Sequence, residues 1–120
     1  MSINRAFQFF GGVCGAMGVA AYAASSHGNS AHLATVAPFL LIHAPAFLAL
    51  SCLSASNKLT ALGGYVILVG LALFTGDLIA RDFLGDRLFV FAAPTGGSLM
   101  IIGWLAVAFS AFTHGKQNPA

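Results

Sequence analysis

The sequence predicts an all-α membrane protein, a bundle of four transmembrane helices with short connections. Charged residues make up only 7% of the chain and hydrophobic residues 58%, whereas about 25% of the residues of an ordinary soluble domain are charged. No Asp, Glu, Lys or Arg occurs between residues 6 and 57, between 59 and 76, or between 88 and 115. Because so little charge is available for a water-exposed surface, lipid is the expected solvent for most of the chain.

Four runs have the length of a spanning helix, which is about 20 residues within a range of roughly 17–25. The runs are continuously apolar, whereas the strands of a membrane β-barrel alternate apolar and polar residues, so helices are predicted. Together the runs use most of the chain and leave a single domain, residues 1–120. The predicted spans are residues 7–24, 34–53, 59–79 and 94–112.

Small residues line one face of the first predicted helix. Gly11 and Gly15 form a GxxxG pair, and Gly18 extends the same face by one turn. Small residues allow helix backbones to approach closely in lipid, where dispersion replaces the hydrophobic effect as the attractive force. We interpret this face as packing inside the chain's own bundle, with a dimer face as the alternative. A second small stripe beside it consists of Gly12, Ala16, Ala20 and Ala24.

The second predicted helix contains two prolines and a central histidine, His43. Asn29 and Ser30 precede this helix and are suited to accept hydrogen bonds from its first turn. Pro38 lies near the start, where a proline costs little. The central Pro45 removes a backbone hydrogen bond and predicts a kink.

The third and fourth predicted helices each carry small or polar residues seven positions apart. Seven residues are nearly two helical turns, so the members of such a row share a face. If the glycines mark the packed side of the third helix, the acidic residue in its row points into the bundle. The rows are Gly63, Gly70 and Asp77 in the third helix, and Gly96, Gly103 and Ser110 in the fourth.

Positive charges at the ends of the predicted helices indicate the orientation. With four spans, Arg5, Lys58 and Lys116 lie on one side of the membrane and Arg81 and Arg87 on the other. Because Lys and Arg are enriched in cytoplasmic segments, this majority predicts an integral protein of the cell (inner) membrane with both termini in the cytoplasm. No basic cluster is present, so a nucleic-acid partner is not expected.

Several short motifs follow one another along the chain. They are Gly18-Val19-Ala20 followed by His27-Gly28, then His43-Ala44, Leu73-Phe74-Thr75-Gly76, Pro94-Thr95-Gly96-Gly97 and Gly103-Trp104. In this order they resemble the motifs of domain of unknown function 423, a family of small four-helix membrane proteins, over nearly the whole chain. The chain departs from the family at residues 22–26 and at Asp77, where a serine is usual. The resemblance implies a multi-pass membrane protein of unassigned biochemistry and supplies no catalytic residues.

His43 is the first candidate functional residue, because an ionisable group near the centre of a span is costly. If His43 has a functional role, its imidazole would ligate a haem iron, relay a proton or bind a quinone oxygen. The favoured explanation is structural, a neutral imidazole hydrogen-bonded to a neighbouring helix. The other histidines lie near the span ends, so none of them completes a bis-histidine haem site; they are His27, His32 and His114.

Asp77 is the second candidate and lies near the end of the third predicted helix. Arg81 follows it by four residues, a spacing that favours an ion pair on one helix. His27 and His32 are expected at the same end of the bundle. The alternative to a structural ion pair is a polar vestibule in which Asp77 and His27 exchange protons or bind a cation.

Neither a catalytic site nor a metal site is expected. Cys14 and Cys52 lie at different depths, which predicts two small buried thiols rather than a disulfide or a pair of zinc ligands. The sequence shows no nucleophile–base pair, phosphate-binding glycine loop or catalytic pair of carboxylates. We therefore predict that the chain is not an enzyme and holds no cofactor.

The leading functional hypothesis is a small structural or accessory membrane protein that packs with itself or with a partner membrane protein. The lipid bilayer is its first partner, and a homo-oligomer or a larger membrane complex is the second. One alternative is a proton or small-ion pathway that uses His43 and Asp77. Another is haem or quinone binding at His43.

Overall fold

The computed structural model describes residues 3–28 and 31–116, and it confirms the all-α class. Within those residues the chain forms four long helices, each long and apolar enough to cross a membrane. The helices are α1 (Arg5–His27), α2 (Ala31–Leu53), α3 (Lys58–Phe83) and α4 (Ala92–Ser110). Short 3-10 segments follow α2 at Ser54–Ser56 and α4 at Ala111–Lys116. The predicted cap at Asn29 and Ser30 lies outside the described residues.

Three of the helices extend beyond the predicted spans. α1 begins at Arg5 and α3 continues to Phe83, because a helix can project past the hydrocarbon core into the headgroup region. By contrast, α4 gives way to a 3-10 segment after Ser110, two residues before the predicted end. α2 remains helical through both Pro38 and Pro45.

The four helices pair as two antiparallel hairpins. α1 packs along α2, α3 packs along α4, and contacts between α2 and α3 join the two hairpins. α1 and α4 are the least buried of these helices and form the outer sides of the bundle. The chain measures 55 × 27 × 17 Å, so the bundle is flattened.

The two seven-residue rows of glycine meet each other between α3 and α4. A Cβ added at Gly70 would lie 2.6 Å from the carbonyl oxygen of Gly96, and a Cβ added at Gly63 would lie 2.8 Å from that of Gly103. Both distances are shorter than any real contact of a Cβ atom. The backbones of α3 and α4 therefore approach so closely that a larger residue at these positions would force the two helices apart.

The glycines of α1 face α2, in agreement with packing inside the bundle. A Cβ added at Gly11 would lie 3.0 Å from the carbonyl oxygen of Ala44, and one added at Gly18 would lie 2.6 Å from the side chain of Leu41. At Gly15 the nearest atom is the Ala44 Cβ, at an ordinary 3.7 Å. In this seam, the contact between α1 and α2, the atoms nearest the glycines therefore belong mostly to side chains. In the α3–α4 seam the closest atoms to Gly63 and Gly70 belong to the backbone.

Two asparagines tie the helices together at the end that holds Arg5 and Lys58. The side chain of Asn4 caps α1, and its backbone N–H donates to the Ser51 carbonyl of α2, at 2.8 Å. The side chain of Asn57 caps α3, and its amide donates to the Ser110 carbonyl at 3.2 Å and to the Thr113 hydroxyl at 2.7 Å. These contacts place the start of α1, the α2–α3 turn and the end of α4 at one end of the bundle.

The two cysteines differ in exposure. Both are free thiols, and Cys14 is buried as predicted. Cys52 is exposed, which contradicts the prediction of a buried side chain. The reason is helical geometry: Cys52 directly follows the buried Ser51, and successive residues of a helix point about 100° apart.

Candidate functional site

His43 lies in the middle of α2 with both ring nitrogens bonded inside the chain. Its Nδ1–H donates to the Phe39 carbonyl oxygen at 2.8 Å, and its Nε2 accepts from Trp104 Nε1–H of α4 at 3.2 Å. A carbonyl oxygen can only accept and an indole N–H can only donate, so this pattern requires a neutral imidazole protonated on Nδ1. The side chain is 6% exposed. This is the arrangement of the structural explanation, a neutral histidine bonded to a neighbouring helix.

Aromatic rings surround His43. The ring of Phe39 stacks on it with centroids 6.4 Å apart, and the ring of Trp104 lies at 5.8 Å. The ring centroid of Phe47 lies 6.1 Å from that of His43, and the ring centroid of Phe74 of α3 lies 4.6 Å from that of Phe39. The hydrogen bond from the partly exposed indole of Trp104 to the buried imidazole of His43 links α4 to α2.

A groove of about 540 Å³ lies beside this cluster, between α2 and α4 and over α3. Its walls are apolar apart from the polar edges of His43 and Trp104. The groove is partly open to the outside of the bundle. Its lining residues are Phe39, His43, Phe74, Gly97, Met100, Ile101, Trp104 and Leu105.

Asp77 is fully buried and holds the connection between α3 and α4. Its Oδ2 pairs with Arg81 Nη2 at 2.7 Å, which is the predicted helical ion pair. Its Oδ1 accepts from the backbone N–H of Leu88 at 2.8 Å. Both oxygens therefore act within the chain: one neutralises a cation and the other anchors the α3–α4 connection.

Asp82 forms a second polar junction that the sequence reading missed. Its Oδ1 accepts from His32 Nδ1–H at 2.6 Å, and its Oδ2 accepts from the Leu33 backbone N–H at 3.0 Å. The carboxylate therefore lies at the start of α2, where free N–H groups and the helix dipole favour negative charge. This junction could have been predicted from the antiparallel order of α2 and α3, because that order brings the end of α3 to the start of α2.

The structure does not bring His27 to Asp77. His27 is exposed at the end of α1, and the two carboxylate oxygens of Asp77 meet Arg81 and Leu88 instead. His43 and Asp77 likewise have separate partners. Among the described residues no group of three or more His, Cys, Asp or Glu is placed to hold a metal ion.

The two small stripes of α1 point in different directions. Gly11 and Gly18 are buried against α2, whereas Gly12 is exposed and a Cβ added there would meet nothing within 4 Å. The other members of the outer stripe are also exposed. We call this surface the outer stripe; it consists of Gly12, Ala16, Ala20 and Ala24.

The sequence of this chain is similar to those of known membrane proteins of unknown function. The sequence model of one family, described as "Protein of unknown function (DUF423)", matches residues 14–97, a range that contains His27, His43, Asp77 and Arg81. A "UPF0382 membrane protein" of Haemophilus influenzae is 37% identical over 76 residues, which are 62% of this chain and 60% of that protein. The chain thus matches less than two thirds of the length of this relative. No solved structure matches the chain significantly.

Proposed function

The chain belongs to the DUF423 family of proteins of unknown function, and from that premise we propose that it is a structural or accessory membrane component that packs with itself or with a partner membrane protein. That it is a membrane protein follows from its four spanning helices and from its relative, which is described as a membrane protein. We place it in the cell (inner) membrane with both termini in the cytoplasm, because three of the five basic residues lie at that end.

The outer stripe of α1 carries this proposal. Its four members are exposed and repeat every four residues; they are Gly12, Ala16, Ala20 and Ala24. Helix association in lipid relies on such small-residue faces, because they allow two backbones to approach and gain dispersion energy. The inner glycines of α1 are already occupied by α2, so the outer stripe is free to receive a helix from a second protein.

The polar groups favour this function over an ion pathway. The carboxylate of Asp77 is paired with Arg81 and with a backbone N–H. The imidazole of His43 is bonded to Phe39 and Trp104. A conduction route requires polar groups that exchange partners with water or ions along a path, whereas these groups bond to the chain itself.

The association is tested with the full chain in a mild detergent and in lipid nanodiscs. The mass of the particle is measured by light scattering, and copurifying membrane proteins are identified at stoichiometric yield. Gly12→Leu should abolish association without lowering the unfolding temperature, because Gly12 is exposed and a Cβ added there meets no atom within 4 Å. Ala108→Leu, which places the same side chain on an exposed position of α4, is the matched control and should leave association intact. A strictly monomeric wild-type particle without a stoichiometric partner in both media contradicts the proposal.

The orientation is tested by labelling single cysteines in a chain whose two native cysteines are replaced by alanine. Ile3→Cys and Lys58→Cys should react with an impermeant maleimide from the cytoplasmic side, and Asp86→Cys from the opposite side. All three native side chains are exposed, so their replacement should not disturb the fold. Labelling of positions 3 and 58 from opposite sides would exclude the four-span topology.

A further inference from the structure

We infer that the groove between α2 and α4 is a binding site for a membrane-soluble phenol of the hydroquinone class. The inference is independent of the association proposed above, because the groove and the outer stripe lie on different helices. The groove volume of about 540 Å³ falls within the range of small-molecule sites, which is roughly 300–1,000 Å³.

The polar edge of the groove defines one donor and one acceptor. The Phe39 carbonyl oxygen accepts from His43 Nδ1–H, so His43 Nε2 is left as the acceptor of the groove. Trp104 Nε1–H is its donor. These two groups bond to each other at 3.2 Å, which is at the long end of the range for hydrogen bonds. A ligand that enters here must replace this bond with partners for both groups, because an unpaired polar group inside a bilayer is costly.

A neutral hydroxyl group meets that requirement. When it is inserted between the rings, its O–H donates to His43 Nε2 and its oxygen accepts from Trp104 Nε1–H. A carbonyl oxygen can only accept, so it would leave Nε2 without a donor. A carboxylate or an ammonium group would carry a charge into the middle of a span, which is strongly unfavourable.

The remaining walls favour an aromatic ring that bears this hydroxyl. The rings of Phe39, Phe74 and Trp104 line the groove, and such walls accept a flat ring in stacked or edge-to-face contacts. Met100 and Ile101 supply aliphatic surface for ring substituents or an alkyl tail. A hydroquinone with an apolar tail combines these features and reaches the groove from the lipid.

Gly97 provides the means to close the site. It lines the groove, and a Cβ added there would meet no atom within 4 Å. Position 97 therefore has room for a Cβ, and we expect the longer side chain of Gly97→Leu to occupy the groove. His43→Phe removes the acceptor and keeps an aromatic ring in the same place.

The experiment uses the indole N–H resonance of Trp104, since this is the single tryptophan of the chain. The full chain, labelled with ¹⁵N and held in phosphatidylcholine nanodiscs under argon, is titrated with a decyl-substituted ubiquinol. Its bis-methyl ether and the oxidised quinone serve as matched probes. The ether keeps the ring and tail but cannot donate, and the quinone carries two acceptors.

We expect a saturable shift of the indole resonance with the hydroquinone and an affinity about tenfold lower for the ether and the quinone, which is the loss of about one hydrogen bond. Gly97→Leu should abolish the shift. Gly12→Leu, on α1 and outside the groove lining, should leave it unchanged. His43→Phe should reduce the affinity of the hydroquinone to that of the ether.

Equal affinities for hydroquinone and ether in the wild-type chain would overturn the inference, and so would a shift that grows without saturation. This ligand series needs no variant, so it decides the question even if Gly97→Leu or His43→Phe fails to fold. A negative result here leaves the association test unaffected, because that test measures particle mass and depends on Gly12.

Discussion

The two hairpins of this protein start alike and then pack differently. Each begins with an asparagine that caps the first helix and is followed by a basic residue, Asn4 and Arg5 in one hairpin and Asn57 and Lys58 in the other. Each asparagine also bonds to the far end of its own hairpin, through its backbone to α2 in the first and through its side chain to α4 in the second. The two hairpins therefore run in the same direction across the membrane, and in each an asparagine links the start of the first helix to the end of the second.

The two hairpins differ in the kind of atom that packs against their glycines. Gly11 and Gly18 are seven residues apart, as are Gly63 and Gly70. The atoms that pack against the first pair belong mainly to side chains of α2. The closest atoms to the second pair belong to the backbone of α4, which has its own glycines at the points of contact. A side chain at the membrane surface can rotate into lipid, but a helix backbone cannot move without moving the whole helix. Similar glycine spacing can therefore produce an adaptable seam in one hairpin and a rigid seam in the other.

The largest effect is expected for Gly70→Ala in the rigid seam. The new Cβ would lie within 2.9 Å of the Gly96 carbonyl oxygen, the Met100 backbone nitrogen and the Leu99 Cβ. Because none of these atoms can rotate away, we expect a loss of about 3 kcal/mol in the free energy of unfolding. Titration with a denaturing detergent measures it. Gly97→Ala, whose added Cβ meets no atom within 4 Å, is the control and should not lose stability. Equal stability of the two variants would show that the α3–α4 seam is not rigid.

The connection of the second hairpin provides the next largest effect. Asp77→Ala would free the Leu88 N–H and leave Arg81 without its partner. Because Arg81 is 28% exposed and can reach the headgroups, we expect a loss of about 1–2 kcal/mol rather than that of a deeply buried broken pair. Asp77→Ser should be more stable than Asp77→Leu in thermal unfolding, because serine can still accept from Leu88 and fits the packed face. A more stable leucine variant would contradict the inward placement of Asp77.

Gly18→Ala tests the adaptable seam with the same chemical change as Gly70→Ala. The new Cβ meets the Leu41 side chain at 2.6 Å and its backbone nitrogen at 3.1 Å. Leu41 is half-buried, so its side chain can rotate towards lipid, and we expect a loss of about 1 kcal/mol. The same detergent titration measures it. A loss as large as that of Gly70→Ala would remove the distinction between the two hairpins.

The smallest effect is expected for Gly12→Ala on the outer stripe. A Cβ at this position meets nothing within 4 Å, and alanine restricts the unfolded chain more than glycine does. We therefore expect a gain of about 0.5 kcal/mol for the monomer. Unfolding at a protein concentration low enough to prevent association measures this gain. A loss of stability under those conditions would show that the outer stripe packs within the chain.

Periodicity alone predicted much of this molecule. The class, the number of spans in the described chain and the inward direction of Asp77 follow from local rules, namely apolar length and the seven-residue spacing of its row. The pairing of Asp77 with Arg81 also followed, because both residues lie on one helix. Asn4 and Asn57 could have been recognised too, since each precedes a basic residue at the start of an apolar run and is a good helix cap.

Contacts between helices were decided by the tertiary structure. No spacing in the sequence joins His43 to Trp104, His32 to Asp82, or one glycine row to the other, because each contact depends on which helices are neighbours and in what register. The exposure of Cys52 and the direction of the outer stripe depend on the same arrangement. In lipid an apolar surface is favourable on either side of a helix, so hydrophobicity does not distinguish the packed face from the exposed one. That choice is made by the fit of small residues against a particular neighbour, which exists only once the helices have assembled.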